Sequence, residues 1–284
     1  MAETGQTMSK PEHLEPSRLG TKEYWDALYD TEITNHETNP SDIGTVWFDD
    51  SNAEAKMVSF LNTNRADLGL DRTSTSFVDL GTGNGSMLHA LRRAGWAGPC
   101  LGVDYSPAAV ALAQKVAAST TYSEASDDDD DDDDDDDEDQ QESNKTEPSN
   151  SPILFAQWDV LDGPLDPDAA ATPRRGAWDV VLDKGTFDAV CLSSDVDAAT
   201  GRRRSEDYRA RVLELLRPGD GGVFLITSCN WTEEELRAWF EGEGGEGSAR
   251  LIYASQVHYR SFSFGGVKGQ TISTVCFVKK DSIS

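Results

Sequence analysis

The sequence predicts an α/β fold in which a mostly parallel sheet, with helices on both faces, ends in an antiparallel C-terminal hairpin. Three observations predict this class. An apolar strand at residues 77–80 runs into a loop with glycine at alternate positions, and a helical pattern follows. Further apolar strands alternate with helical segments along the chain. The last two strand patterns, 251–257 and 271–278, are separated only by a loop.

The segment before the glycine loop is expected to cover a ligand site. Residues 1–17 are polar and aperiodic, so they are predicted to be a disordered N-terminus, and residues 18–284 to be one domain. Thr21 is a predicted N-cap, and Ser51 with Glu54 form a predicted capping box for the next helix. The alternative is that the aromatic residues at 47 and 48 simply pack on the sheet.

The glycine loop follows the first predicted strand. Gly81, Gly83 and Gly85 allow a tight turn and let a ligand approach backbone N–H groups, while Asp79 lies at the strand end and Thr82 within the loop. Strand, glycine loop and helix in this order form the first unit of a Rossmann-like sheet, with the ligand at the carboxyl ends of the strands. A dinucleotide fingerprint would need glycine at position 86, where this chain has serine.

Carboxylates follow the next two predicted strands. Asp104 lies 19 residues after Gly85, where its carboxylate can accept hydrogen bonds from both ribose hydroxyls. Asp159 follows the strand at 153–156 and can accept a hydrogen bond from an adenine amino group. Because carboxylates repel a pyrophosphate, the pattern suits an adenosyl ligand without phosphates. The alternative is that these aspartates only cap helices.

The fourth and fifth predicted strands bring further polar residues to the same edge. Asp183 follows the strand predicted at 178–182 and is expected to point into the crevice beside the first strand. Lys184 comes next, as a substrate-channel residue or as a salt-bridge partner. Asn230 and Trp231 follow the strand predicted at 223–227.

An acidic low-complexity segment, residues 122–151, interrupts the connection from a helix to the third strand. Its run of 13 acidic residues, 127–139, accounts for about half of the net charge of −27. Such a run is predicted to be a disordered insertion, and the direction of a βαβ connection places it away from the ligand. It is interpreted as a solvated spacer. The alternative is that its charge attracts a basic protein. The acidity of the remaining chain argues against direct nucleic-acid binding.

The composition also bears on compartment. The four cysteines, Cys100, Cys191, Cys229 and Cys276, lack paired spacing and are expected to be reduced core residues and not metal ligands. The sequence has no leading apolar stretch and no run long enough to span a membrane. The expectation is a cytoplasmic protein without a membrane or metal site, with nuclear entry left open.

Seven segments together resemble a known family. They are SRLGTKEYWD (17–26), WF (47–48), DLGTGNG (79–85), GVDYSP (102–107), DKGTFD (183–188), LITSCNWT (225–232) and FSFGG (262–266). The chain resembles the seven-β-strand, S-adenosylmethionine-dependent lysine methyltransferases that modify translation elongation factor 1A, in particular the branch first described in fungi. The acidic insertion departs from that pattern.

The resemblance implies a class I methyltransferase fold and a protein substrate, translation elongation factor 1A. The chain is separately expected to act as a monomer. It implies that Gly81, Gly83, Gly85, Asp104 and Asp159 hold S-adenosylmethionine, and the same site is assigned Asp79, Thr82, Tyr105 and Val160. Asp183 and Trp47 are then expected beside the transferred methyl group. The predicted substrate channel consists of Phe48, Lys184, Asn230 and Trp231.

The target lysine has to lose a proton before it can attack a methyl group. An amine with a reference pKa near 10.4 is neutral in only about one molecule in 2,500 at pH 7, and burial among aromatic side chains lowers that pKa. Asp183 is expected either to orient the amine or to accept its proton. Two other functions remain open at this point: a small-molecule N- or O-methyltransferase of the same fold, and a non-catalytic acidic binding protein.

Overall fold

A seven-stranded mixed sheet forms the centre of the molecule. The computed structural model describes residues 10–120, 151–165, 173–241, 249–259, 262–264, 267–269 and 271–281. The strands are β1 Phe77–Leu80, β2 Cys100–Asp104, β3 Ile153–Gln157, β4 Val180–Lys184, β5 Val223–Ser228, β6 Arg250–Val257, β7 Phe262–Phe264, β8 Val267–Gly269 and β9 Ser273–Lys280. β7 and β8 form a separate two-stranded antiparallel sheet.

The helices are α1 Lys22–Thr38, α2 Ala53–Thr63, α3 Ser86–Arg93, α4 Pro107–Ser119, α5 Thr186–Cys191, α6 Tyr208–Leu215 and α7 Glu233–Phe240. Local sequence explains several of their ends. The Ser106 side chain accepts a hydrogen bond from the backbone of Ala109 at the start of α4. Thr21 precedes α1, but its side chain makes no capping hydrogen bond and donates to the carbonyl of Arg18 at 2.7 Å. Thr232 and Glu235 form a capping box at the start of α7.

The strand order in the main sheet is β3-β2-β1-β4-β5-β9-β6. The first five strands of this order are parallel, whereas β9 runs antiparallel to both β5 and β6. This arrangement confirms the predicted fold class. The chain order reverses between β1 and β4, and a crevice at such a point is where open α/β sheets bind ligands.

The core lies on both faces of the sheet because successive residues of a strand point to opposite sides. In β5, Val223 and Leu225 belong to the cluster that contains residues of α2 and α3, whereas Phe224 and Ile226 belong to the cluster that contains residues of α5, α6 and α7. α1 packs separately on α4, through Tyr29 among others. Burial on both sides explains why these strands are apolar throughout.

Two local predictions differ from the structure. β4 extends two residues beyond the predicted strand end, so that Asp183 and Lys184 are paired in the sheet. The capping box predicted for α2 is absent: Asn52, with φ 52°, precedes the helix, and the Ser51 hydroxyl lies 2.9 Å from that of Thr271. Glu54 instead accepts a hydrogen bond from the Ser86 hydroxyl at 2.5 Å.

Residues 10–17, for which the sequence predicts disorder, instead lie against the domain. The backbone N–H of Ser17 donates to the carbonyl of Leu192 at 3.0 Å, and Leu14 packs against the core. The Lys10 ammonium lies 5.1 Å from the centre of the Trp239 ring. Residues 1–9 lie outside the described residues.

The acidic segment also lies outside the described residues, apart from Ser151 at its end. The residues on either side of it lie at the end of the sheet where the parallel strands begin. Ser151 donates its backbone N–H to Ala97, just before β2, and its carbonyl accepts a hydrogen bond from Arg92. The segment therefore leaves and re-enters the domain opposite the carboxyl ends of the strands.

None of the helices within the described residues is long and apolar enough to cross a membrane.

Candidate active site

A cavity of about 260 Å³ lies at the carboxyl ends of the parallel strands. Its walls come from the strand ends, from the loop after β3, from α5 and from the N-terminal segment. The sequence-predicted site residues among its lining are Trp47, Phe48, Gly81, Asp104, Tyr105, Asp159, Val160, Lys184 and Asn230.

The glycine loop reaches the cavity through Gly81, whereas Asp79, Thr82, Gly83 and Gly85 lie behind its lining. Gly81, Gly83 and Gly85 have φ values of 62°, 56° and 80°, a region that favours glycine. Gly81 lines the cavity, and a Cβ atom there would lie 2.1 Å from the hydroxyl oxygen of Thr186. That hydroxyl donates to the carbonyl of Leu80 at 2.6 Å, so the end of β1 is packed tightly against the start of α5.

The remaining residues assigned to the loop support it from behind. The Thr82 hydroxyl donates to Asp79 at 2.7 Å, and both side chains are buried. Burial raises the pKa of Asp79 to about 7. A Cβ at Gly83 would lie 2.7 Å from the hydroxyl oxygen of Tyr29, so α1 lies directly over the loop.

Asp104 is held at the end of β2 with its carboxylate beside the glycine loop. One oxygen accepts a hydrogen bond from the backbone of Ser106 at 2.9 Å, and the other from the backbone of Gly83 at 3.2 Å. Burial raises the pKa of Asp104 to about 6. The neighbouring Tyr105 is half-buried, and burial together with the Asp104 charge raises the pKa of its phenol.

Asp159 turns the chain after β3. Its Oδ1 accepts hydrogen bonds from the backbone of Leu161 at 2.8 Å and of Asp162 at 3.2 Å. Val160 and Leu161 present apolar surface to the same part of the cavity. The structure therefore brings the two predicted adenosyl carboxylates to one side of the cavity, next to apolar side chains.

Residues 43–48, here called the wall segment, cross the opposite side. The rings of Trp47 and Trp25 meet edge to face with centroids 5.4 Å apart. Phe48 has φ 65°, an unusual conformation for a bulky residue, and a Cβ at Gly185 would lie 3.2 Å from its ring. The N-terminal extension thus covers the cavity, as the sequence predicts.

This set of side chains fits S-adenosylmethionine. The carboxylates suit hydroxyl and amino donors, and the aromatic wall suits a cationic sulfonium. The two basic residues of the lining already face carboxylates: Lys184 lies 3.5 Å from Glu54, and Arg204 lies 2.6 Å from Asp162. The Trp47 indole N–H is buried without a hydrogen-bond partner among the described residues.

The structure contradicts the prediction that Asp183 points into the crevice. Its side chain is fully buried, and its oxygens accept hydrogen bonds from the backbone N–H groups of Thr186 and Phe187. The Tyr208 hydroxyl donates to Oδ2 at 2.5 Å. Burial raises the pKa of Asp183 to about 7. The carboxylate anchors the start of α5 on α6 and does not line the cavity.

Trp231 is also misplaced by the sequence prediction. It is 4 % exposed and packs against Trp239 in the core, with ring centroids 5.7 Å apart, so it does not form a channel wall. Asn230, in contrast, is exposed at the rim of the cavity. Cys229 likewise lines the cavity and is exposed, so the prediction that every cysteine is buried in the core is wrong for this residue.

The sequence reasoning missed Asp188. It lies in the DKGTFD segment, on α5, and lines the cavity. Its carboxylate accepts hydrogen bonds from the Ser228 hydroxyl at 2.5 Å and from the Cys229 backbone at 2.9 Å, and burial raises its pKa. Asp188 therefore fixes the loop that carries Asn230. The sequence signal that could have identified Asp188 is that the DKGTFD segment contains a second carboxylate in addition to Asp183.

Two further residues were missed for different reasons. Tyr29 is not among the predicted site residues, although it lines the cavity. Asn84 lies within the DLGTGNG segment but is not among the predicted site residues either, although its side chain contacts the wall segment. Neither contact has a local sequence signal.

Comparison with known proteins gives consistent results. A family model described as a methyltransferase domain matches residues 50–246. The chain is 38% identical to protein-lysine N-methyltransferase EFM4 of Saccharomyces cerevisiae, over 94% of this chain and 97% of the yeast protein. It is 34% identical to efm4 of Schizosaccharomyces pombe, over 93% and 95% of the two chains. It is 30% identical to human EEF1A lysine methyltransferase 2, over 93% and 88%.

Proposed function

This chain belongs to the family of S-adenosylmethionine-dependent protein-lysine N-methyltransferases, and we propose that its substrate is a lysine side chain of translation elongation factor 1A. The observation that carries the proposal is the likeness to EFM4 and to EEF1A lysine methyltransferase 2 over nearly the whole chain. The human protein's name states its substrate. The cavity geometry agrees with transfer to an amine.

The wall segment suits the entry of a lysine side chain. When bound, the cofactor supplies an electrophilic methyl group. The chain's own part is to hold the amine in line and to favour its neutral form. Trp47 and Phe48 supply apolar surface next to the cavity, and removing an ammonium group from water lowers its pKa. Alignment of the two reacting groups lowers the entropic part of the barrier.

Charge at the cavity mouth suits a basic side chain. Asp195 lines the cavity and is exposed, so its carboxylate attracts a cationic lysine from solvent, whereas Asp162 is already paired with Arg204. Asp188, deeper in the cavity, holds the backbone of the rim that carries Asn230. The exposed amide of Asn230 is free to hydrogen-bond to substrate backbone.

The proposal is tested with labelled S-adenosylmethionine and elongation factor 1A purified from cells that lack the endogenous enzyme. The expected product is methyl-lysine that survives acid hydrolysis, with the site identified by mass spectrometry. A matched sample of already methylated factor serves as the control, because its target lysine is occupied. Labelling of a metabolite in extract, with no labelled protein, would replace the proposal by a small-molecule methyltransferase.

We also propose that the enzyme acts as a cytoplasmic monomer. The cysteines, which are free thiols in the described residues, agree with a reducing compartment. Light scattering of the purified chain and fluorescence microscopy of a tagged copy test the two statements separately.

A further inference from the structure

We propose that Asn84 and Lys184 are positioning residues that fix the wall segment, and with it Trp47 and Phe48, relative to the cofactor site. The inference rests on the proposed function, because it concerns the side of the cavity at which the lysine enters. Neither residue is assigned to the transfer chemistry itself.

Asn84 ties the wall segment to the glycine loop. Its amide nitrogen donates to the carbonyl of Ile43 at 2.9 Å and lies 3.3 Å from that of Thr45. Its amide oxygen accepts the backbone N–H of Ser86 at 3.0 Å. The side chain is 3 % exposed, so water does not compete for these hydrogen bonds.

Lys184 ties the other end of the wall segment to β4. Its ammonium group donates to the carbonyl of Trp47 at 3.3 Å and lies 3.5 Å from Glu54, which accepts the Ser86 hydroxyl. The side chains of Lys184 and Glu54 are 13% and 15% exposed. The network thus joins the wall segment to β4, α2 and the start of α3.

The backbone of the wall segment needs such support. Phe48 adopts the left-handed region, which is unfavourable for a bulky residue and persists only where neighbouring contacts impose it. Between the two ties, Glu32 of α1 accepts the backbone N–H of Thr45 at 2.9 Å, and the Asp42 side chain accepts that of Gly44 at 3.0 Å. Phe48, the strained residue, therefore directly follows residues 43–47, whose backbone is held at several points.

The two ties reach the elements that form the cofactor side of the cavity. Asn84 belongs to the loop that contains Gly81, and Lys184 immediately precedes Gly185, against which the Phe48 ring packs. These contacts consequently join the aromatic wall to the glycine loop, which would hold the methyl donor. A shift of about 1 Å between reacting groups is enough to slow transfer strongly.

The test replaces Asn84 with aspartate, which keeps an acceptor for Ser86 but removes the donors to the wall segment. Asn84→Ala removes the donors without adding charge, and it also removes the acceptor for the Ser86 N–H. Both variants should accelerate amide hydrogen exchange at Gly44 and Thr45 at least tenfold. They should lower kcat/KM for the protein substrate at least tenfold, while the dissociation constant for S-adenosylhomocysteine stays within threefold of wild type.

Asn64→Asp is the matched control, because the Asn64 amide donates to the carbonyl of Phe60 at 2.8 Å, at the end of α2. It should change neither the exchange at Gly44 and Thr45 nor kcat/KM.

Three results would overturn the inference: wild-type exchange and kinetics in both Asn84 variants, faster exchange that extends through β4 and β5, or a loss of cofactor affinity equal to the loss of kcat/KM. If wild-type protein methylates no lysine, the proposed function fails, whereas the exchange measurement still decides whether Asn84 holds the wall segment.

Discussion

Replacing Tyr208 with phenylalanine tests the buried position of the Asp183 carboxylate. The change removes only the hydroxyl that donates to Asp183 at 2.5 Å. Both side chains are fully buried, so no water takes the place of the lost donor. Neither residue lines the cavity. The variant should therefore lose stability and keep its catalytic rate.

The size of the effect depends on pH, because the hydroxyl favours the ionised carboxylate. The pKa of Asp183 is raised to about 7 by burial, and the Tyr208 hydrogen bond opposes that rise. At pH 5 the carboxyl is neutral in both proteins, and the lost hydrogen bond costs about 1 kcal/mol. At pH 8 the lost bond is to a charged group and costs about 2 to 3 kcal/mol. In the variant the pKa rises further, so its stability falls more steeply as pH rises through 7.

Thermal and urea denaturation at the two pH values measure this difference. One kcal/mol corresponds to about 2 to 4 °C for a chain of this size, so the melting temperature should fall by about 3 °C at pH 5 and by about 4 to 12 °C at pH 8. Tyr259→Phe is the control, since the Tyr259 hydroxyl lies 2.7 Å from that of Thr274 and has no carboxylate partner within the part of the chain that the structure describes. Its cost should be the same at both pH values.

The rate of methyl transfer at 20 °C is the measurement that can contradict this reasoning. The Tyr208→Phe enzyme should keep its rate within about threefold. A rate loss above a hundredfold at unchanged stability would refute the reasoning, because it would mean that Asp183 acts on the substrate amine.

Four further outcomes are expected. Asp104→Ala should weaken S-adenosylhomocysteine binding by about 1.5 to 3 kcal/mol in calorimetry, with the fold retained. The affinity of the wild-type protein should decrease below pH 6, because the Asp104 carboxylate then becomes protonated and loses acceptor capacity. Gly81→Ala should lower both melting temperature and cofactor affinity, since its Cβ would meet Thr186; equal values in both assays would contradict the described loop. Phe48→Ala should raise KM for the protein substrate and leave cofactor binding intact, as single-turnover kinetics can check. Deleting residues 124–147 should change neither melting temperature nor cofactor affinity, because the flanks lie at the edge away from the cavity; a loss of binding would show otherwise.

The fold was predictable because its signals are local. Continuous apolar strands and glycines in a tight turn each involve a few neighbouring residues, and these predictions are confirmed. Asp104 and Asp159 reach the cavity because the carboxyl ends of parallel strands meet at one edge of the sheet.

The orientation of Asp183 was not predictable from its position in the chain. A strand that stops at residue 182 would leave this carboxylate at the crevice, but β4 continues to Lys184. Alternation within the strand then directs Asp183 to the same face as Val181, which packs in the cluster that contains Tyr208. Strand ends are the least certain part of a sequence-based assignment, and here two residues decide whether this carboxylate lines the cavity or is buried in the core.

Glu54 illustrates the complementary failure. Its spacing from Ser51 satisfies the capping-box pattern, but the pattern contains no information about distant partners. Ser86 and Lys184, far away in sequence, provide the contacts that Glu54 makes in the folded chain. Tertiary contacts of this kind outweigh a local preference worth about 1 kcal/mol.

The Arg92 guanidinium has a consequence for how the chain can be divided. It donates to the carbonyls of Trp96, Gly98 and Ser151, and so joins the polypeptide on either side of the acidic segment. Strand pairing of β2 with β3 and of β1 with β4 crosses the same boundary. Two fragments divided within residues 121–150 would therefore keep an extensive shared interface. The hydrogen bond from the Arg92 guanidinium to the carbonyl of Ser151 would still join them. Residues 121–150 are therefore a suitable position at which to split the enzyme into complementing halves or to insert a reporter domain, because the flanks of this segment lie at the opposite edge of the sheet from the cavity.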